Sequence, residues 1–161
     1  MKIMFICTGN ICRSAMAEAM MKEMLAKKQK ENIEVYSAGI YAGTGDVPTQ
    51  TAVEVMKESY GIDLSHHRAT NIKESQIEKM DLILCATISH KIEILQDYPQ
   101  LQNKVYTLKE YAGLAREGRN FDISDPWGYD KKVYENCAKE IEECLEKILE
   151  KILEKIEKQM F

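Results

Sequence analysis

The sequence predicts an α/β domain with a mostly parallel sheet, on three observations. Short strand-like apolar runs alternate with longer helix-like segments along the chain. One run, Asp81 to Ala86 (DLILCA), is almost continuously apolar, as in strands covered on both faces. Glycine and proline mark the boundaries between the two kinds of segment, as at Gly39, Gly61 and Pro99.

Lys2 to Ile6 reads as a short buried strand. A helix is expected from Arg13 to about Gln29, because Met16, Ala19, Met20, Met24 and Leu25 recur on one face. Glu34 to Ala38 is a second strand, ended by Gly39, and the Gly-rich segment from Tyr41 to Val47 is a loop. The next helix should begin at about Pro48, whose fixed φ suits a first turn, and stop near Tyr60, with Gly61 as its C-terminal cap. The third strand is Asp81 to Ala86, followed by a helix over Ser89 to Asp97 that Pro99 ends. Lys104 to Leu108 is a fourth, shorter strand, and Tyr111 to Asp130 reads as loop. From Lys131 onward one long helix carries Ile141, Cys144, Leu145, Ile148, Leu149, Ile152, Leu153 and Ile156 as a stripe at i, i+3, i+4, i+7. That stripe is read as docking on the sheet. Because it runs close to the end of the sequence, a monomer or a weak dimer is expected.

The 161 residues fit one domain, 1–161, with room for one sizeable core. Twenty-two basic against 26 acidic residues give a net charge of -4, which argues against a nucleic-acid partner. No apolar run approaches the roughly 20 residues that span a bilayer, so no membrane partner is expected. No cleavable leader pattern is visible, and a cytoplasmic location is expected. Five cysteines, an odd number, do not form a secreted disulfide framework, and no paired CxxC suggests zinc. No cofactor or metal is expected. Cys85, Cys137 and Cys144 read as small buried hydrophobes.

Residues 7–14, Cys-Thr-Gly-Asn-Ile-Cys-Arg-Ser, form C-x5-R-S between the first strand and the first helix. Ligands in parallel α/β folds bind beyond the carboxyl ends of strands, and this segment lies there. Cys7 is placed near a helix N-terminus, whose orphan N–H groups and positive dipole end favour a thiolate. Gly9 and Asn10 tolerate positive φ, so the chain can curl into an anion nest. Arg13 supplies a planar fork for two phosphate oxygens, and Ser14 a hydroxyl for the sulfur. Thr8, Gly9, Asn10, Ile11, Cys12, Arg13 and Ser14 are therefore the expected phosphate-binding residues. A nucleotide-binding Walker loop is excluded because no Gly-Lys-Ser/Thr is present.

The block KIMFICTGNICRSAMAEAM closely resembles the signature of the low-molecular-weight protein-tyrosine phosphatases, with Ala15 where many members carry proline. VYSAGI, GIDLSHHRA, DLILCAT, VYTLKEY and DPWG extend the resemblance, in order, over nearly the whole chain. It implies a three-layer domain with a four-stranded parallel sheet, order 2-1-3-4. It also implies metal-independent hydrolysis of phosphomonoesters through a cysteinyl-phosphate on Cys7.

Other roles follow from the same resemblance. Asp125, in DPW, matches the general acid, and Pro126 restricts it to extended geometry. His67, Asn10, Ser14 and Ser37 match residues that brace the cradle, although Thr70 stands where members usually carry arginine. Cys12 matches a thiol that forms a reversible disulfide with the nucleophile. Neither His66 nor His90 shows a partner in the sequence.

Trp127 matches an aromatic that stacks on phosphotyrosine, and Tyr41 is a candidate opposite wall. VYTLKEY and DPWG are similar to a bacterial branch that includes protein-arginine phosphatases, which carry threonine where Ile11 stands. An apolar Ile11 suits an aromatic substrate, so phosphotyrosine on a phosphorylated protein is expected, with phosphoarginine as the alternative. An arsenate reductase would need further redox cysteines in a downstream loop. A phosphotransferase carrier would lack Arg13, and a non-catalytic phosphate-binding module would be expected to lose Cys7 or Asp125.

Overall fold

The computed structural model describes residues 1–115 and 120–159. Strand β1 (Lys2–Cys7) pairs in parallel with β2 (Glu34–Gly39) on one side and β3 (Leu82–Cys85) on the other. β4 (Val105–Thr107) adds to β3, giving the order β2-β1-β3-β4. The predicted α/β sheet and its strand order are both observed.

Alternation along β1 explains why it sits at the centre. Ile3, Phe5 and Cys7 point into one apolar layer, shared with helices α1 (Arg13–Lys27), α2 (Gln50–Tyr60) and α5 (Lys131–Gln159). Met4 and Ile6 point into the other, which holds Ile94 of α3 (Ile88–Asp97). Each of these side chains is worth roughly 1.5–3 kcal/mol when fully buried. A polar residue at any of them would therefore cost the strand its place. β3 alternates in the same way, Leu82 and Leu84 to one layer, Ile83 and Cys85 to the other.

The 29-residue α5, about 43 Å long at 1.5 Å per residue, buries Ile141, Cys144, Leu145, Ile148, Leu149 and Ile152 against α1, α2 and α4 (Leu108–Tyr111), in the apolar layer they share with β1 and β3. Leu153 and Ile156 complete the stripe half-buried.

Of the boundaries that differ from expectation, three have a clear local cause. The second helix starts at Gln50, with Thr49 as its cap accepting from Ala52 N, so Pro48 lies before the cap and not in the first turn. α1 stops at Lys27 because Gln29 turns left-handed at φ 56. The fourth strand ends at Thr107, whose side chain closes a capping box with Glu110 and starts the short helix α4 (Leu108–Tyr111). Of the expected loop over Tyr111 to Asp130, residue 111 closes α4 and residues 116–119 lie outside the described set.

Candidate active site

The chain leaves β1 at Cys7 and enters α1 at Arg13, with Cys12 at the cap position and its side chain making no capping hydrogen bond. The turn between them needs Asn10 in the left-handed region, at φ 57. It also needs Gly39: a Cβ there would lie 2.6 Å from Thr8 O and 2.8 Å from Asn10 N. β2 therefore passes directly against the cradle backbone.

Asn10 is fully buried and ties the cradle to its supports. Its Oδ1 accepts from Thr70 N at 2.9 Å, which fixes the amide's orientation. Its Nδ2 then donates to Ser14 Oγ at 2.8 Å and Ser37 Oγ at 2.9 Å. Ser37 in turn donates to Glu18 Oε1. Ser14 Oγ lies 2.8 Å from Cys7 Sγ; since that oxygen accepts from Asn10, its own hydrogen is free for the sulfur. The imidazole Nε2 of His67 meets Asn10 O at 2.7 Å. The four sequence-predicted supports, Asn10, Ser14, Ser37 and His67, are thus brought together behind Cys7. At Thr70, where the resemblance led one to expect arginine, the backbone N–H serves the same amide.

Arg13 is 4% exposed. Nη1 donates to Ile123 O at 2.8 Å, and Nη2 lies 3.5 Å from Thr8 Oγ1 and 3.6 Å from Asp125 Oδ2. Nε meets no acceptor among the described residues. A buried charged donor in that condition costs stability unless an anion arrives. Asp125 is held by an Asx turn, its Oδ1 accepting from Trp127 N at 3.1 Å. The segment preceding it is fastened to the sheet by Ile123 N on Ala86 O at 2.8 Å, and to α3 by Ile88 N on Asp122 Oδ1, also 2.8 Å.

Cys7, Thr8, Gly9, Ile11, Cys12, Arg13, Asp125 and Trp127 line one cleft of about 280 Å³. Tyr41 is not among its lining residues. It is exposed, and its hydroxyl donates to Glu93 Oε1 at 2.7 Å, which holds it against α3 and corrects its expected place as an opposite wall. Cys12 is buried against the hydroxyls of Tyr134 (3.4 Å) and Thr49 (3.6 Å). Burial pushes its thiol pKa above the ordinary value, and those two hydroxyls offset part of the effect. Cys85, Cys137 and Cys144 are buried as expected. Burial pushes the thiol pKa of Cys137 and of Cys144 up to about 12.

Sequence reasoning missed two side chains. His90 has partners after all: Nε2 is 2.8 Å from Thr8 Oγ1, and Nδ1 is 2.9 Å from Thr87 Oγ1. Glu18 closes the brace through Ser37 and faces His67 Nδ1 at 3.9 Å. Neither contact has a local spacing that would announce it.

The model for the family "Low molecular weight phosphotyrosine protein phosphatase" matches residues 2–159. A protein-arginine-phosphatase of Bacillus subtilis (strain 168) is 39% identical over 145 residues, covering 90% of this chain and 92% of its own length. A probable low molecular weight protein-tyrosine-phosphatase, EpsP, of Ralstonia nicotianae is 36% identical over 140 residues, 87% of this chain and 88% of that protein. The crystal structure of a low molecular weight protein tyrosine phosphatase from T. tengcongensis superposes with a TM-score of 0.86 at 38% identity, covering 94% of this chain and 99% of that one. The chain belongs to the low molecular weight phosphotyrosine protein phosphatase family.

Proposed function

We propose that this chain is a metal-independent protein-tyrosine phosphatase working through a cysteinyl-phosphate at Cys7. The observation that carries the reading is the buried Arg13, with Nε unpartnered among the described residues, in the cleft that also holds Cys7 and Asp125. An oxyanion seated beside Arg13 satisfies that donor and faces the first-turn N–H groups of α1.

In the proposed cycle the Cys7 sulfur attacks phosphorus in line while Asp125 gives its proton to the leaving oxygen. Arg13 and the backbone from Thr8 to Ser14 carry the charge of the transferring phosphoryl group. Asp125, now ionised, takes a proton from water as it attacks the phosphorus. The Cys7 sulfur leaves and receives the Ser14 hydrogen bond. No step asks a metal to supply charge, since Arg13 and the N–H groups do so.

Phosphotyrosine is favoured over phosphoarginine by Ile11 and Trp127, whose apolar and aromatic side chains line the cleft and themselves offer a guanidinium no acceptor. The similarity to a protein-arginine-phosphatase makes phosphoarginine the second reading. Parallel assays on phosphotyrosine and phosphoarginine peptides in EDTA decide between them. Faster turnover of phosphoarginine would reverse the assignment, and loss of all activity in EDTA would end the metal-independent reading. Five free, buried thiols support action in a reducing cytoplasm.

A further inference from the structure

The geometry points to His90 as a positioning residue that holds Thr8, and through Thr8 the outer nitrogen of Arg13, in place. The inference rests on the phosphatase reading of the cradle but adds a support on its other side. His90 is 7% exposed, in the first turn of α3. Its own N–H donates to Thr87 Oγ1 at 3.2 Å, and its Nδ1 lies 2.9 Å from the same oxygen. Backbone and ring are thus pinned to one hydroxyl, which leaves Nε2 aimed at Thr8 Oγ1, 2.8 Å away.

Burial, with Arg13 next in effect, lowers the imidazole pKa from its ordinary 6.5 to about 4, so the ring is neutral near pH 7. A neutral ring has one N–H and one lone pair, and both hydrogen-bond directions are consistent with the positions of the two threonines. In one, Thr87 donates to Nδ1 and Nε2–H donates to Thr8, freeing the Thr8 hydrogen for the cleft. In the other, Nδ1–H donates to Thr87 and Thr8 donates to Nε2. Thr8 Oγ1 keeps a lone pair toward Arg13 Nη2 either way.

Thr8 is exposed and lines the cleft, so without His90 its χ1 would be free to rotate away from Arg13. The arrangement divides the work. Asn10, Ser37 and His67 hold the sulfur side of the cradle, whereas the turn from Ala86 to His90 holds the arginine side. That same turn fastens Ile123 and Asp122 of the acid segment.

The test compares Thr8→Val, Thr8→Ser, His90→Phe and the Thr8→Val/His90→Phe double variant. Two quantities are read, the Kd for inorganic phosphate by calorimetry and kcat/KM on p-nitrophenyl phosphate. Thr8→Val and His90→Phe should each cost about 10-fold in both, the worth of one charge-supporting hydrogen bond. The double variant should lose about the same 10-fold rather than about 100-fold, since both changes break one chain. Thr8→Ser, which keeps the hydroxyl, should restore both quantities to within about 3-fold of the parent.

Losses that multiply in the double variant, or a Thr8→Val protein that binds phosphate as the parent does, would overturn the inference. If His90→Phe fails to fold, Thr87→Val, which unpins the ring, takes its place in the cycle, and losses that multiply with those of Thr8→Val overturn the inference. A parent protein that binds phosphate without hydrolysing the ester would refute the phosphatase reading instead. The Kd ratios would still decide the role of His90.

Discussion

Arg13 Nη2 lies 3.6 Å from Asp125 Oδ2, joining a guanidinium that is almost wholly buried to a carboxylate whose side chain is 52% exposed. The cation is fixed by Ile123 and Thr8, so the anion is the partner able to move. In the proposed cycle an incoming phosphate competes with Asp125 for the same nitrogen, freeing the carboxyl for the leaving oxygen.

Replacing Asp125 by alanine is therefore expected to slow phenyl phosphate by about 10²–10⁴-fold, the usual worth of a general acid. The loss on p-nitrophenyl phosphate should be far smaller, because its leaving group needs less protonation. Steady-state kcat on both esters checks this, and equal losses would remove Asp125 from the acid role. Cys7→Ser should abolish turnover on either ester.

Ser14→Ala removes the hydroxyl that Asn10 steers toward Cys7 Sγ. A hydrogen bond to a charged group is worth about 1.5–3 kcal/mol, so kcat should fall about 10–100-fold. Ser37→Ala, one bond further from the sulfur, should lose less. The reverse order would mean that the brace acts through the fold and not through Ser14.

The buried His90 should make the protein acid-sensitive. Its folded pKa of about 4 lies below the ordinary 6.5, burial being the main cause and Arg13 the next; Glu93, Asp122 and Asp125 pull the other way. The unfolded chain takes up a proton below pH 6.5 that the folded chain accepts only near pH 4. His90's contribution is intact above pH 6.5, falls as pH drops toward 4, and is gone below that. The loss amounts to about 2–3 kcal/mol. Urea unfolding of the parent and of His90→Gln at pH 7 and pH 4.5 should show a smaller acid loss in the variant.

Ile11→Thr places a hydroxyl at the apolar lining of the cleft. The ratio of phosphoarginine to phosphotyrosine turnover should rise, and a ratio that stays fixed would show that specificity is set elsewhere. The expected shift is about 10-fold, the worth of one hydrogen bond to a charged group.

Peroxide should oxidise Cys7 first, because burial keeps Cys12 as the thiol. Peroxide leaves a sulfenic acid on Cys7; the Cys12 sulfur then displaces water to close a disulfide. Dithiothreitol should restore activity to the parent but much less to Cys12→Ser. Equal recovery would count against the role of Cys12.

The sequence made legible whatever was local. The cradle from Cys7 to Ser14 is one contiguous string, and Asp125 is reached only through the resemblance that DPW carries. The α/β class follows from alternation, and the strand order from the resemblance alone. His90 was hidden because its partner, Thr8, lies on the far side of the β1–β3 crossover and shares no motif with it. Glu18 carries no signal in the sequence, since its partner Ser37 lies on β2. The position of Tyr41 is not legible in the sequence because a Gly-rich loop leaves its direction open, and its hydroxyl bonds Glu93 on α3. Pro48 suggested a first turn, yet Thr49, the next residue, offered the capping oxygen.

Gly39 leaves no room for a Cβ beside Thr8 O and Asn10 N, so the cradle takes its shape only once β1 and β2 are paired. An anion in the cradle therefore binds the assembled sheet and not a loose loop. By mass action, phosphate at 100 times its Kd should add about 2.7 kcal/mol to the unfolding free energy of the whole domain. In a refolding experiment the cradle should then report on assembly: activity should return only once β1 and β2 are paired.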